Sequence, residues 1–356
     1  MTDVLLVNWG TGDGGELVQR EHLGLSYLSA FLIRAGFSVQ LIDNTFLGGD
    51  DAMLLAEIRK AQPALAGFSL FLTNAAAVLR LIAALGSTGW GGHVTLGGHH
   101  ATFNYRAILR DNPGVASIVL GEGEEALAEL VGRLRTGRPW QDVANLAYHD
   151  PWRGVVANAC RPLVSDLDAL PHPYRQPYAH AIRASGVAAM VSSRGCYGRC
   201  SFCSIRAFYR LSPGKPWRMR SPKSVVDEMA ALVAEHGVKS IIFLDHNFLG
   251  PGRLGQMRAQ AIAAELVARR IAVSRSIACR PNDRRDIGRG HCVARGGVCR
   301  SHFAGRAPCR LQCRGDPRRL AGGGQHRPRR RRGTSGGPYA RRAGWARLAR
   351  DPQSGL

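Results

Sequence analysis

The sequence predicts an α/β protein, with a doubly wound parallel sheet in its first half and the beginning of a second βα unit after it. Up to about residue 279, short apolar runs alternate with segments whose apolar residues recur at helical spacing. Glycine-rich turns follow several of the runs, and a segment rich in proline, tryptophan and aspartate separates the halves. Such alternation is typical of a parallel sheet covered by helices on both faces.

The first elements of the chain show this pattern. Val4–Asn8 is a continuous apolar run suited to a buried parallel strand. A helix is predicted to begin near Leu23 and to be closed by Gly36. The later strands are predicted at residues 38–43, 64–71, 93–97 and 117–120, and the later helices at 53–61, 75–85, 102–110 and 124–135.

Glycine and polar residues follow three of these strands. They are Ser69, the pair Gly97 and Gly98, and the run Gly121-Glu122-Gly123. Open α/β sheets bind ligands beyond the carboxyl ends of their strands. Glycines there would let a large flat ligand approach the backbone, so these residues are the candidate ligand site of the first half.

The second half opens with Cys196, Cys200 and Cys203 in a C-x3-C-x2-C loop after a predicted strand at 187–192. Three thiolates on one loop can hold an iron–sulfur cluster with one iron left open, whereas such clusters normally have four cysteine ligands. A structural zinc site would need four ligands in paired spacings. A disulfide is disfavoured because the sequence shows no signal peptide and predicts a reducing, cytoplasmic location.

This loop resembles the signature of radical S-adenosylmethionine (SAM) enzymes, with Phe202 as the aromatic residue before the third cysteine. The resemblance implies a [4Fe-4S] cluster whose open iron binds the amino and carboxylate groups of SAM. It makes Phe202, Asp245, Asn247 and Arg280 candidate SAM-binding residues. For Asp245 and Asn247, turn capping is an equal alternative.

The elements after the loop are those of a partial (βα) barrel of radical SAM type. Helices are predicted at 221–236 and 258–269 and strands at 240–248 and 271–279. The family's barrel has about six βα units, and this sequence supplies three. The family's later Gly-x-Glu-Ser-Gly segment is not found after Cys279, so an exposed edge of the third strand is expected.

The first half resembles the Rossmann-like cobalamin-binding domain (B12-binding domain) that is fused to such enzymes. The serine, the Gly-Gly pair and the Gly-Glu-Gly-Glu run fit that domain, and the leucine–proline segment at 166–175 is similar to its linker. The resemblance implies cobalamin contacts from Ser69, Gly97, Gly98, Gly121, Glu122 and Gly123. The Asp-x-His-x-x-Gly loop that supplies a histidine to cobalt in some B12 domains is missing, so no protein histidine is expected on cobalt.

The expectation that no histidine binds cobalt concerns three histidines in particular. His22 lies at a predicted helix start, and its surroundings do not fit the cobalt-binding spacing. His99 and His100 follow the Gly-Gly pair, where capping or packing is favoured over a ligand role.

The C-terminal tail has an anomalous composition. The chain of 356 residues carries a formal charge of +22. Residues 280–356 contain 20 Arg and 4 acidic residues, so they account for +16 of this charge. The tail has no Lys, Glu or Met, and it shows no amphipathic period. GC-rich codons read out of frame yield such a mixture, so we hypothesise a truncation or frameshift after about residue 279. A disordered Arg-rich tail is the alternative.

The predicted domains are a cobalamin-binding domain at 1–140, a linker at 141–183, the first half of a radical SAM barrel at 184–279 and an irregular C-terminal tail at 280–356. The family resemblance implies an enzyme that cleaves SAM to a 5′-deoxyadenosyl radical and methylates an unactivated centre of a biosynthetic substrate. A cyclase or oxidoreductase without methyl transfer is the first alternative. An inactive truncated product, or a nucleic-acid-binding protein that uses the basic tail, is the second.

The partners follow from the same resemblance. They are a small-molecule substrate and an external electron donor of the flavodoxin or ferredoxin type, whereas nucleic acid is disfavoured. The sequence contains no apolar stretch long enough to span a membrane.

Overall fold

The computed structural model describes residues 2–10, 21–47, 50–279, 297–301 and 309–315. All of them belong to the first of two structural units, Met1–Pro317; the second unit, Arg318–Leu356, lies outside the described residues. Within the described part, no helix is long and apolar enough to cross a membrane.

A seven-stranded sheet forms the first half, in the strand order β2-β1-β3-β4-β5-β6-β7. Five strands are parallel: β1 (Val4–Asn8), β2 (Val39–Asp43), β3 (Leu65–Ser69), β4 (His93–Gly97) and β5 (Ser117–Val119). In register, Val4 pairs with both Val39 and Leu65. Placing β1 inside the sheet, with chain excursions to both sides, gives the doubly wound topology that the sequence predicts.

Six helices accompany these strands: α1 (Leu23–Arg34), α2 (Asn44–Leu47), α3 (Asp51–Ala61), α4 (Ala75–Gly86), α5 (His99–Asp111) and α6 (Glu124–Arg135). Because side chains alternate along a strand, β1 contributes to two cores. Val4 and Leu6 pack with α1 and α6, whereas Leu5 and Val7 pack with α3, α4 and α5.

The segment predicted as a linker contains a hairpin. β6 (Leu146–Asp150) and β7 (Gly154–Ala157) extend the first sheet in antiparallel fashion, with Ile118 of β5 paired to Ala147. Gly154 has φ +71°, which the turn between them requires. The connector proper therefore begins after this hairpin and includes two short 3₁₀ helices, Leu167–Ala169 and Gln176–Tyr178.

The second half is built on a second parallel sheet. Its elements are α7 (Ala179–Ser185), β8 (Val187–Met190), β9 (Ser193–Gly195), α8 (Ile205–Tyr209), β10 (Trp217–Met219), α9 (Pro222–His236), β11 (Ser240–Phe243), α10 (Gly252–Ala268) and β12 (Ser274–Cys279). β8, β11 and β12 are parallel neighbours, as expected for consecutive βα repeats. Ser221 caps α9 by accepting from the N–H of Ser224, and Pro222 follows it, as its sequence predicts.

The outer edge of β12 is paired. Two strands of the tail, β13 (Gly297–Ser301) and β14 (Cys309–Gly315), are described, and β14 runs antiparallel to β12 with Cys279 opposite Cys309. The expected exposed edge of the third strand is therefore wrong, because a strand from the tail covers it. The rest of residues 280–356 lies outside the described residues, where an irregular tail stays a prediction.

The two halves share one hydrophobic core. The cluster around Val4 and Leu6 continues into Met190 of β8, Met229 of α9 and Ile241 of β11. Shared burial fixes the carboxyl edge of the first sheet relative to the cysteine loop, and the space between these two features is the candidate site.

Candidate active site

The cysteine loop lies between β9 and α8, and its ends are tied by β9 pairing antiparallel with β10. Gly195 pairs with Trp217 and has φ +80°. A Cβ atom at Gly195 would lie 1.6 Å from the carbonyl oxygen of Pro216. Only glycine fits this close crossing of the two chain segments, so the glycine before Cys196 is a steric requirement of the loop.

The three cysteines form no disulfide within the described part of the chain, and they differ in exposure. Cys200 is exposed, and Cys196 and Cys203 are half-buried. Among the described residues, no three His, Cys, Asp or Glu side chains converge as ligands of a single metal ion. As a donor set, three thiols on one partly exposed loop suit an iron–sulfur cluster. Phe202 is 91% exposed beside them, and its role toward SAM stays a prediction.

Asp245, a predicted SAM contact, is buried behind the loop. Its carboxylate accepts hydrogen bonds from the N–H (3.0 Å) and hydroxyl (2.7 Å) of Ser192 and from the hydroxyl of Ser193. Burial raises the pKa of Asp245, although these donors oppose the shift. The carboxylate thus supports the strand that leads into the cysteines, which is the capping alternative; a direct contact to SAM stays a prediction.

The loop after β11 is also held from within. The Oδ1 atom of Asn247 accepts from the N–H of Gly250 at 3.1 Å. Arg258 of α10 donates to the carbonyl oxygens of Ser192 (2.6 Å) and Phe248 (3.1 Å). No local sequence signal marks Arg258, because its carbonyl partners lie 10 and 66 residues away in the chain. Arg280, the fourth predicted SAM contact, lies outside the described residues.

A cavity of about 850 Å³ separates the carboxyl edge of the first sheet from the cysteine-loop region. All six predicted cobalamin contacts line it: Ser69, Gly97, Gly98, Gly121, Glu122 and Gly123. The second half contributes Arg194, Phe208, Tyr209, Leu244 and His246. None of the four predicted SAM contacts is among its described lining residues. The volume is near the upper end of the range of about 300 to 1,000 Å³ for cofactor sites.

Two features of the cavity wall fit a large ligand. A Cβ atom added at Gly97 would meet nothing within 4 Å, so the backbone there faces open space. Gly98 has φ +97°, and a Cβ there would lie 3.0 Å from the carbonyl oxygen of Leu70. The Nε2 atom of His99 is buried without a hydrogen-bond partner among the described residues. A ligand with a polar group would remove the cost of that unpaired atom.

His22 joins the helix start of α1 to Ser69. Its Nδ1 accepts from the N–H of Leu25 at 3.1 Å, and its Nε2 lies 2.9 Å from the hydroxyl oxygen of Ser69. Burial lowers the pKa of His22, so the ring is neutral. Since Nδ1 accepts a hydrogen bond, the ring proton lies on Nε2. This N–H donates a hydrogen bond to the hydroxyl oxygen of Ser69. In this arrangement His22 has no nitrogen lone pair left for a ligand; that no histidine binds cobalt stays a prediction.

Glu122 connects the two halves of the chain. Its carboxylate accepts from Arg218 at 2.8 and 2.9 Å, from Arg194 at 3.2 Å and from the N–H of Val164 at 3.0 Å. Burial favours a raised pKa, but the hydrogen bonds from Arg218 and the charge of Arg194 lower the pKa of Glu122 overall. Arg194 also pairs with Glu124 at 2.6 Å. Glu122 and Glu124, in the Gly-Glu-Gly-Glu run, therefore form ion pairs with arginines of the second half of the chain.

A second buried network was missed by the sequence interpretation. Arg175 donates to Glu21 at 3.2 Å, to Glu228 at 2.6 Å and to the carbonyl oxygen of Ala189 at 2.9 Å. Arg220 donates to the other oxygen of Glu228. The one available signal was Arg175 itself, a charged residue at the end of the leucine–proline segment.

Two histidines from different halves meet at the cavity. The ring of His99 stacks on Phe208 of α8 with centroids 4.0 Å apart, and His246 lies 6.3 Å from His99 and 5.9 Å from Tyr209. Burial lowers the pKa of His99, and burial with the nearby charge of His99 lowers the pKa of His246 to about 4. Both rings are thus neutral at physiological pH. His99 could be singled out from its place after the Gly-Gly pair, whereas no sequence signal marked His246.

Comparisons with known proteins agree with this architecture. The family model of the B12 binding domain matches residues 19–131, and that of the radical SAM superfamily matches residues 190–287. An uncharacterized methyltransferase of Pyrococcus horikoshii is 30% identical over 267 residues, covering 73% of this chain and 55% of that protein. An anaerobic magnesium-protoporphyrin IX monomethyl ester cyclase of Rubrivivax gelatinosus is 37% identical over 157 residues, covering 42% and 27%.

A solved structure shares the fold. The cobalamin-dependent S-adenosylmethionine radical enzyme OxsB, with aqua-cobalamin and S-adenosylmethionine bound, superposes with a TM-score of 0.66 at 21% identity. The alignment covers 76% of this chain and 38% of that one. The chain spans about half the length of the P. horikoshii relative and less of the other two.

The two family matches fall on the two halves of the fold and together span more than half of the chain. The predicted family is thereby confirmed. The chain belongs to the radical SAM enzymes that carry an N-terminal B12-binding domain.

Proposed function

We propose that this chain holds a [4Fe-4S] cluster on Cys196, Cys200 and Cys203, binds SAM beside it and binds cobalamin in the cavity. The whole protein would use them to methylate an unactivated carbon or phosphorus centre of a small biosynthetic substrate. The observation that carries the proposal is the cavity between the two domains. Gly97 and Gly121 line it from one domain, and Arg194 and Phe208, which flank the cysteine loop, line it from the other.

When bound, the cluster and SAM would supply a one-electron cleavage of SAM, and cobalamin would supply a methyl group. The residues of the chain would bind and orient these groups. Gly97 leaves room for a flat ring against the backbone. The hydroxyl oxygen of Ser69 accepts a hydrogen bond from Nε2 of His22, so its own O–H can be donated to a ligand in the cavity.

The cavity wall would also exclude water. Apolar side chains from both halves line it, including Leu28, Phe68, Val119 and Leu244. The Glu122–Arg218 and Glu124–Arg194 pairs lie at the boundary between the halves and hold them together. A dry cavity protects a reactive radical from solvent.

A second candidate function keeps both cofactors but omits methyl transfer. It is favoured by the 37% identity to the anaerobic cyclase of R. gelatinosus. The products distinguish the two reactions, because methylation yields S-adenosylhomocysteine in addition to 5′-deoxyadenosine. A protein that forms only 5′-deoxyadenosine in the presence of cobalamin would contradict the methylase proposal.

The cluster is tested by anaerobic reconstitution. Wild-type protein is expected to take up iron and sulfide equivalent to one [4Fe-4S] cluster, and Cys200→Ala is expected to lose most of it. Cys160→Ala is the control, since Cys160 also forms no disulfide in the described part of the chain and lies outside the loop, although it is half-buried whereas Cys200 is exposed. Equal iron content in Cys160→Ala and Cys200→Ala would overturn the cluster assignment.

Cobalamin binding is tested with hydroxocobalamin and equilibrium dialysis. Gly97→Leu would fill the cavity next to the backbone, so a loss of affinity of at least about tenfold is expected with little change in stability. Gly91→Leu is the control, because Gly91 is exposed and a Cβ there also meets nothing within 4 Å. Unchanged affinity in Gly97→Leu would place cobalamin elsewhere.

A further inference from the structure

The chain segment that leads into the cysteine loop is held by carboxylates of the B12-binding domain. Glu21 accepts a hydrogen bond from the N–H of Ala189 in β8 at 2.9 Å. Glu122 and Glu124 accept from the guanidinium of Arg194 in β9 at 3.2 and 2.6 Å. All three glutamates also line the cavity. The walls of the proposed cobalamin site therefore support the segment that carries the cysteines.

Arg194 is the residue among these contacts that lies nearest to a thiol in the chain. Only Gly195 separates it from Cys196. Gly195 has a positive φ, and it crosses the carbonyl group of Pro216 too closely for any side chain. The backbone between Arg194 and Cys196 therefore has little room to take up a displacement. A shift of Arg194 is passed on to the first cysteine of the loop.

The ion pairs of Arg194 respond to what fills the cavity. The side chains of Arg194 and Glu122 are 13% and 11% exposed, that of Glu124 is 5% exposed, and all three line the cavity. The guanidinium also lies over the ring of Tyr27, another lining residue, at 5.2 Å from its centroid. A large ligand in the cavity would exclude water from these pairs. Opposite charges attract each other more strongly when water is excluded.

We propose that Arg194 is a positioning residue that couples cobalamin binding to cluster binding; this inference rests on the proposed function. A ligand in the cavity strengthens the Arg194–Glu124 pair, and the pair holds Cys196 in the position from which it binds the cluster. Coupling between two binding sites is reciprocal. An assembled cluster should therefore raise the affinity of the protein for cobalamin.

The test measures the affinity of the full-length protein for methylcobalamin, with and without the cluster, by equilibrium dialysis in the dark. The cluster is assembled by anaerobic reconstitution, or it is removed with a chelator under reducing conditions. Methylcobalamin is the probe because its methyl group occupies the cobalt position that a free thiol could otherwise take. The measured quantity is the coupling factor, which is the Kd without the cluster divided by the Kd with it.

Two variants weaken the coupling contact in different ways. Glu124→Gln removes the charge of one partner but leaves Glu122 on Arg194, so the fold keeps an interdomain ion pair. Arg194→Lys keeps the charge, but an ammonium group lacks the planar fork with which the guanidinium contacts both glutamates. Glu125→Gln is the matched control, because Glu125 lies in the same helix turn, is exposed and pairs with Arg161.

The wild type and the control variant are expected to show a coupling factor of at least about five. The factor should fall towards one in Glu124→Gln and Arg194→Lys. A merely structural role would weaken methylcobalamin binding equally with and without the cluster, so an unchanged factor in both variants would overturn the proposal. A wild-type factor of one with both cofactors bound would overturn the coupling and leave the proposed function intact. A wild type that binds no methylcobalamin, or takes up no iron, would overturn both.

Discussion

Arg218 of β10 holds both oxygens of Glu122, at 2.8 and 2.9 Å, and so joins the loop after β5 of the B12-binding domain to the radical SAM domain. Glu122 was predicted as a cobalamin contact from its place in a Gly-Glu-Gly-Glu run. In the structure its carboxylate also accepts from Arg194 and from the N–H of Val164. The loop lines the cavity, while the glutamate side chain fixes the position of the loop.

Glu122→Gln should therefore weaken the protein as a whole. Removing one partner of a buried ion pair costs about 3 to 5 kcal/mol of the free energy of unfolding. The pKa of Glu122 lies below its ordinary value of 4.5. Its stabilising effect is thus complete above pH 4.5 and is lost as the pH falls through the folded-state pKa. Urea unfolding at pH 7 and at pH 4 measures both effects.

Glu125→Gln is the matched control for this variant. Glu125 lies in the first turn of α6, which follows the loop of Glu122, but it is exposed, with Arg161 at 3.4 Å. Surface pairs contribute about 0 to 1 kcal/mol, so the control should keep nearly the stability of the wild type. Equal losses in the two variants would contradict an interdomain role for Glu122.

Asp245→Asn distinguishes a supporting role from a SAM contact. The amide would place a donor against Ser192 and Ser193, which already donate, and the free energy of unfolding should fall by about 2 to 3 kcal/mol. Because Ser193 lies three residues before Cys196, iron content after reconstitution should fall as well. Asp227→Asn, at a half-exposed pair with Lys223 and Arg269, should keep full iron content. Normal stability and iron with weakened SAM binding would instead support a direct contact.

His22 allows a test of the cobalt environment. As the N-cap residue of α1 its replacement by alanine should cost about 1 kcal/mol of stability, and asparagine should restore most of it. If Nε2 donates to Ser69, as the capping of Leu25 requires, the imidazole of His22 has no lone pair for cobalt. The visible spectrum of bound hydroxocobalamin should then be the same in the wild type and in His22→Asn. A spectral shift on substitution would reveal a histidine ligand.

Local patterns predicted most of the fold. β1 and β4 have the bounds expected from their apolar runs, and α9 begins at the predicted serine cap. Each of these signals is contained in a few consecutive residues. The hairpin of β6 and β7 was missed because its strand character depends on pairing: β6 pairs with Ile118 of β5, and β7 pairs with β6. No local sequence pattern predicts the contact with β5.

The candidate site was predicted only in part for the same reason. Glycines and cysteines mark a site by their identity and spacing, so the loops at Gly97 and Cys196 could be found. The partners of Glu122, Asp245 and Glu228 are distant in the chain, and they become neighbours only after both domains pack on one core. Four arginines that a charge count would assign to the surface lie inside instead: Arg175, Arg218, Arg220 and Arg258.

The hypothesis of a frameshift also makes a prediction. The radical SAM match ends at residue 287, close to where the Arg-rich tail without Lys or Glu begins. If the frame changes there, another reading frame downstream should encode alternating strands and helices with a Gly-x-Glu-Ser-Gly segment. Resequencing the gene across codons 270–300 and translating all three frames measures this. A confirmed frame with no open alternative would show that the Arg-rich tail is genuine.

His93 should make the stability of the B12-binding domain depend on pH. Its ring is buried on β4, with Nε2 2.7 Å from the hydroxyl of Ser117 and Trp140 packed edge-on at 4.7 Å. Burial lowers the pKa of His93 from 6.5 to about 4. Between these values the unfolded chain binds a proton that the folded protein does not, so the free energy of unfolding falls as the pH drops, by about 3 kcal/mol in total. His93→Asn should flatten urea-unfolding stability between pH 6.5 and 4, whereas His149→Asn, at an exposed position of β6, should follow the wild-type curve. An unchanged slope in His93→Asn would show that the pH dependence arises from other groups.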